Sequence, residues 1–274
     1  MITQELLDAN EPMVIEAIDE VFSAIKTQEK RENDLVLLLA NCSINPKSEE
    51  LSLFTTFSYD DFTDNARFNF ILFYLSLPIH KQYHHEGPKS QSIIRKNLIF
   101  QELMIYSHIW ESISNLKLLF KLTELTLGND YPWNIEVPDM RKHKFVRHEV
   151  RDRIPEGASK LQTLISNSFN SQLRNAFAHS QISFWNDENE VIQLHNHDEN
   201  DGWTSWGMSF TDFESKLINS ILLFKAIHDR IKLETVELVK RNNEFDVYCP
   251  EESGIFSIKK IYYNTEANHF KWRR

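Results

Sequence analysis

Apolar residues recur at steps of three and four from Ile99 through Leu103, Tyr106, Trp110, Ile113 and Leu116 to Phe120. That is the 3.6-residue period of a helix with one buried face. It predicts an unbroken helix over 97–127, stopped by Gly128. A second stripe, Leu161, Leu164, Ile165, Phe169, Leu173 and Ala176, predicts a helix from about Ala158 to His179. A third, Phe213, Leu217, Ile221, Phe224, Ile227 and Ile231, predicts a helix opened by a capping box, Thr211 as N-cap with Glu214 three residues on. Only 6 Gly and 8 Pro in 274 residues argue against a turn-dense β fold. The fold class expected is mainly α.

Strand signals come late. QISFW (181–185), the turn NDEN (186–189), VIQLHN (191–196) and WTSWGMSF (203–210) read as a β-hairpin with a further strand. From about 244 the chain alternates apolar and polar and reads as a small C-terminal sheet. Near the start, Met13, Ile15, Ala17, Ile18, Val21, Phe22 and Ile25 predict a helix with Pro12 near its first turn. Asp34 to Asn41 fits either helix or strand. Asp64 to Leu77 reads as a helix capped by Asp64 and stopped by Pro78, followed by a connector over 80–92. A polar loop is expected over 128–157. Three regions follow: 1–90, helical and of unassigned role; 91–235, the main helical domain; and 236–274, a β extension on it.

With 41% hydrophobic and 26% charged residues the chain has the composition of a folded globular protein. The formal net charge of -10 excludes a surface that is basic throughout, though not a local basic cleft. Phe68 to Ile79, the most apolar stretch, falls short of the roughly 20 residues a membrane span needs. The acidic, polar start lacks the pattern of a secretory signal. Cys42 and Cys249 match no metal or redox spacing. A cytoplasmic location, no cofactor and no bound metal are expected.

The chemistry concentrates in LRNAFAHS, residues 173–180: Arg174, four intervening residues, then His179, with the polar Asn175 directly after the Arg. His titrates near neutrality and moves protons. Arg stays charged and grips phosphate oxygens through a fork of donors. At about 100° per residue, Asn175 and His179 share a helix face, whereas Arg174 lies roughly 140° from His179. Either the Arg stem reaches round or the helix ends near Ala178. Arg141 and His148 offer a second match of this kind, with six residues between, but Lys142 follows the Arg and no helical face surrounds the pair.

This motif, ending an amphipathic helix that follows a longer one and precedes a hairpin and a third helix, resembles the catalytic motif of the HEPN superfamily. The resemblance spans about residues 95–235. It implies an antiparallel helical bundle with a late β-hairpin insertion. It also implies a metal-independent endoribonuclease of the toxin or antiphage-defence kind, in which the ribose 2′-OH attacks the phosphate and a 2′,3′-cyclic end is left. Arg174 would bind phosphate, His179 would transfer the proton, and Asn175 would support both. The family further implies a homodimer with two motifs across one cleft, and an antitoxin or defence protein as partner. Some HEPN toxins carry a Tyr two residues after the His, where this chain has Gln181. A non-catalytic HEPN scaffold, binding RNA or protein, is the alternative.

Further candidates surround the motif. Arg141, Lys142, Lys144, Arg147, Arg151 and Arg153 are expected to contact RNA phosphates, or else to pair with the chain's own carboxylates. Glu102 and Glu111, with His108, sit on the long helix, where a carboxylate would orient Arg174 or His179. His80, His84 and His85, and separately His195 and His197, lack a clear third metal ligand and read as surface histidines. Trp185, Trp203 and Trp206 are expected to pack the small sheet onto helices rather than to stack on bases.

Overall fold

Pro88 opens the helix Pro88–Glu111, where its missing N–H costs nothing. A computed structural model describes residues 4–44, 51–52, 88–185, 190–198, 202–251 and 255–273. The fold is mainly helical. In chain order it runs α1 (Gln4–Gln28), α2 (Asp34–Leu39), β1 (Ser43–Ile44), β2 (Leu51–Ser52), α3 (Pro88–Glu111), α4 (Ile113–Thr126), then a series of short helical turns over 142–158. There follow α5 (Ser159–Ser168), α6 (Ser171–Ala178), β3 (Ile182–Trp185), β4 (Val191–Asp198), β5 (Gly202–Ser209), α7 (Phe210–Arg241), β6 (Glu244–Pro250), β7 (Phe256–Asn264) and β8 (His269–Trp272). β3, β4 and β5 form one antiparallel sheet in that order, and β6, β7 and β8 another. No described helix is long and apolar enough to cross a membrane. The helix expected over Asp64–Leu77 and most of the 80–92 connector lie outside the described residues.

The chain divides into two compact units. One comprises 1–14, 62–112 and 163–223; the other comprises 15–61, 113–162 and 224–274.

In the first unit, Ile99, Leu103, Ile105, Tyr106, Ile109 and Trp110 of α3 are buried together with Leu173 and Ala176 of α6, Ile192 and Leu194 of β4, and Phe213 and Leu217 of α7. Trp110 Nε1 donates to Ser220 Oγ at 2.9 Å, and its ring lies 4.9 Å from that of Phe169. Phe184 of β3 meets Phe100 edge-on at 5.0 Å and Phe210 at 5.8 Å.

The helix predicted over 158–179 is in fact two. α5 ends at Ser168, and Asn170 opens α6 with extended backbone (φ -134°, ψ 114°), its side chain accepting from the Leu173 N–H at 2.9 Å. Asn is among the strongest N-caps. Tyr106 then ties the joint: its hydroxyl donates to the Ser168 carbonyl at 3.0 Å and accepts from the Asn170 N–H at 2.7 Å. The apolar stripe continues through the break in step, which hides it from a reading of periodicity. The long helix over 97–127 is likewise interrupted, at Ser112, and starts earlier than expected. Ser209, not Thr211, caps α7: its hydroxyl accepts from the Asp212 N–H at 3.0 Å. Pro12 sits inside α1 rather than in its first turn.

The second unit buries Ala17, Ile18, Val21, Phe22 and Ile25 of α1, all of α2, Leu119 and Leu122 of α4, and Phe245, Val247 and Cys249 of β6. Asp34–Asn41, ambiguous in sequence, is helical through Leu39. Gly128 ends α4 as expected. It is left-handed (φ 71°), the Asn129 N–H bonds the Glu124 carbonyl and the Gly128 N–H bonds that of Leu125. The 128–157 segment is not a loop throughout. Buried Phe145, Val146, Val150 and Ile154 anchor its later half as consecutive helical turns, including a π-helical turn over Phe145–Val150.

Candidate functional site

The helix carrying the motif is only eight residues long, and its two ends fix where the motif side chains stand. Asn170 caps the start. At the other end the Gln181 N–H bonds the Ala176 carbonyl at 2.7 Å and the Ser180 N–H bonds that of Phe177 at 3.0 Å. This is a Schellman cap with Ser180 in the left-handed position (φ 55°). The helix therefore stops at Ala178, where the angular argument required either a stop or a long reach. His179 becomes the half-in residue (φ -98°, ψ 10°), its own N–H bonded to the Asn175 carbonyl at 3.0 Å. Main-chain N–H groups satisfy the carbonyls of Asn175, Ala176 and Phe177, so the imidazole is not needed to cap them. His179 is exposed. The chain then locks onto the sheet, since the His195 N–H bonds the Gln181 carbonyl at 2.8 Å.

Ser180 adopts the conformation that Gly128 adopts at the end of α4, but with a Cβ. Ser180→Gly is expected to raise stability by about 0.5–1 kcal/mol, read as a shift in the urea midpoint without a change of slope. A loss of stability would mean that the Ser180 cap is not left-handed.

Arg174 is half-buried between two partners. Its Nε donates to the Glu111 carboxylate and its Nη1 donates to Asn175 Oδ1 at 2.8 Å. Burial pushes its pKa down from the ordinary value, though an arginine remains charged across the working range. Of the two carboxylates on the long helix, the one that meets the motif is therefore Glu111. Glu102 lies nine residues earlier on α3, about 13 Å along the axis, and is fully buried. His108 is one turn from Glu111 and half-buried.

Among the described residues no group of three His, Cys, Asp or Glu is placed to hold a metal. His195 Nε2 lies 2.7 Å from Ser183 Oγ across the β3–β4 pair. The side chains of His80, His84, His85, His197, Trp185 and Trp203 lie outside the description. Trp206 is 54% exposed, against the expectation that it packs the small sheet onto helices.

The basic segment belongs to the second unit. Arg141 is left-handed (φ 63°) and opens the turn Lys142–Lys144, and Arg147 sits in the π-helical turn. Of these cations, Arg151 pairs with Asp152, and Arg153 with Glu124 and Glu149. Arg141 and Lys144 are exposed. The local field is positive despite the overall charge: burial, then the neighbouring Arg147, Lys144 and Arg141, push the His143 pKa down.

Sequence reasoning missed the Asn170 cap, although Asn-Ser in mid-stripe is an N-cap signal, and it left open which carboxylate meets Arg174. Only the packing of α3 against α6 selects between Glu102 and Glu111. No family model matches the chain, and neither a curated protein nor a solved structure shows significant similarity to it.

Proposed function

We propose that this protein is a metal-independent endoribonuclease of the HEPN type, with Arg174, Asn175 and His179 as its active residues. The observation that carries the reading is the conjunction at one helix end of an exposed imidazole and an arginine oriented by two neighbours. His179 transfers the proton between the ribose 2′-OH, the phosphate and the leaving 5′-oxygen. Arg174 stabilises charge building on the phosphate, since its fork has five N–H donors and the two described contacts occupy only some of them. A homodimer pairing two motifs would supply one His as acid and one as base. The exposed basic turns bind RNA backbone, and the defence or toxin role follows from the same resemblance.

The test is a labelled structured RNA incubated with the protein in excess EDTA, with analysis of the ends formed. Cleavage leaving 2′,3′-cyclic phosphates supports the proposal. Intact RNA at high enzyme concentration removes it.

A second reading is a non-catalytic scaffold. The Glu111 carboxylate on Arg174 favours it, because a neighbouring anion weakens a cation's hold on phosphate. The two readings diverge at Glu111. If Glu111 positions Arg174 for catalysis, Glu111→Ala lowers cleavage by about tenfold while Glu111→Gln, which still accepts from Nε, loses only a few-fold. If Glu111 instead blocks the site, both variants bind RNA more tightly than wild type and neither cleaves it.

A further inference from the structure

The first unit holds a cavity of about 340 Å³ away from the motif in sequence, lined by Asn167 from the end of α5, Met208 of β5, and Asp212, Ser215, Lys216 and Asn219 along one side of α7. Asn219 is 4% exposed, and its Oδ1 has no hydrogen-bond partner among the described residues. A buried amide oxygen without a partner is costly, so it is retained where something else completes it. Lys216, half-buried, donates from Nζ to the Asn167 carbonyl at 3.1 Å, which holds its ammonium over the cavity wall. Asp212, one helical turn before Lys216, brings a carboxylate to the same rim.

We propose that this cavity is a nucleotide pocket that accepts one nucleotide of a single-stranded RNA. An amide offers a donor and an acceptor side by side, the complement of a Watson–Crick edge, so Asn219 reads the base. The Met208 thioether packs against the base plane. Lys216 holds a phosphate and Asp212 accepts from a ribose hydroxyl. The volume stands at the small end of ligand cavities, about 300–1,000 Å³, which suits one nucleotide and excludes a duplex. Apart from Gly207 and Met208 the lining residues are polar or charged, which does not suit an apolar ligand or helix. The choice of ligand rests on the ribonuclease reading; the existence of the site does not.

Titration calorimetry of the full chain with each of the four ribonucleoside 5′-monophosphates tests this. At least one should bind at about millimolar concentration or below. Asn219→Leu, similar in size and without the amide, should weaken that binding at least about tenfold. Lys216→Gln, at the rim and safe for folding, should weaken the monophosphate about three- to tenfold and leave the parent nucleoside unchanged. If no nucleotide binds, or if both variants bind as wild type does, the pocket assignment is overturned. The cleavage assay in EDTA is read separately. Binding that depends on Asn219 without cleavage keeps the pocket and sinks the ribonuclease, and cleavage without such binding does the reverse.

Discussion

Replacing His179 with Ala is expected to lower RNA cleavage in EDTA by about 10²- to 10⁴-fold, the range a positioned general acid–base supplies. Stability should stay within about 0.5 kcal/mol of wild type, because the imidazole is exposed and Ala keeps the backbone bond to the Asn175 carbonyl. This separation makes His179 the cleaner probe of the site. Arg174→Ala also leaves the half-buried Glu111 carboxylate without its cation, so activity and stability fall together. Arg174→Lys is not conservative either. The contacts to Glu111 and Asn175 are made by two different nitrogens, and a lysine has one. Cleavage by the His179→Ala protein within about threefold of wild type would dismiss the catalytic assignment, while matched unfolding curves guard against a folding artefact.

The second large effect concerns stability and lies in the other unit. Asp34 is 2% exposed, and one of its carboxylate oxygens has no hydrogen-bond partner among the described residues. Burial, reinforced by the carboxylates of Glu29 and Asp130, raises its pKa from 3.8 to about 6 against the pull of backbone N–H groups at Tyr131 and Arg31. A raised carboxyl pKa means that the fold prefers the proton. Below about pH 3 the side chain is neutral both folded and unfolded, and no penalty arises. As pH rises from about 4 to 6 the unfolded chain ionises first and stability falls; above that window the loss is constant, about 3 kcal/mol. Asp34→Asn keeps the shape and removes the charge. It should therefore stabilise the protein by about 2–3 kcal/mol at pH 8 and by nothing below about pH 3, as measured by urea unfolding at both. The difference between variant and wild type cancels the titrating groups that do not interact with Asp34, leaving Asp34 and its neighbours Glu29 and Asp130. A gain independent of pH would mean that Asp34 is not a buried, proton-preferring acid.

The periodicity of the apolar residues was enough to call the chain mainly helical, because a helix that buries one face must repeat every 3.6 residues wherever it packs. The late strands and the Gly128 stop were legible for similar reasons: alternation marks a half-buried strand, and a left-handed residue after a stripe marks its end. The motif residues could be singled out as candidates, since only their types and spacing were needed. Periodicity could not show where a stripe is cut. Leu164, Ile165, Leu173 and Ala176 stay in phase across Asn170, so the cap and the Tyr106 hydroxyl that clamps it emerged only from packing.

The loop expected over 128–157 failed for the converse reason. Its buried residues Phe145, Val146, Val150 and Ile154 are few and set among charged side chains, and the turns they anchor change pitch from α to π to 3₁₀ rather than forming one regular helix. The sequence determined by itself which segments bury a face and which residues are fit for phosphate and proton chemistry. Tertiary structure alone decided that Glu111 rather than Glu102 meets Arg174, that Asp34 is buried beside other acids, and that Asn219 lines a cavity. Each of these depends on which residues distant in the chain come into contact, and local spacing carries no information about that.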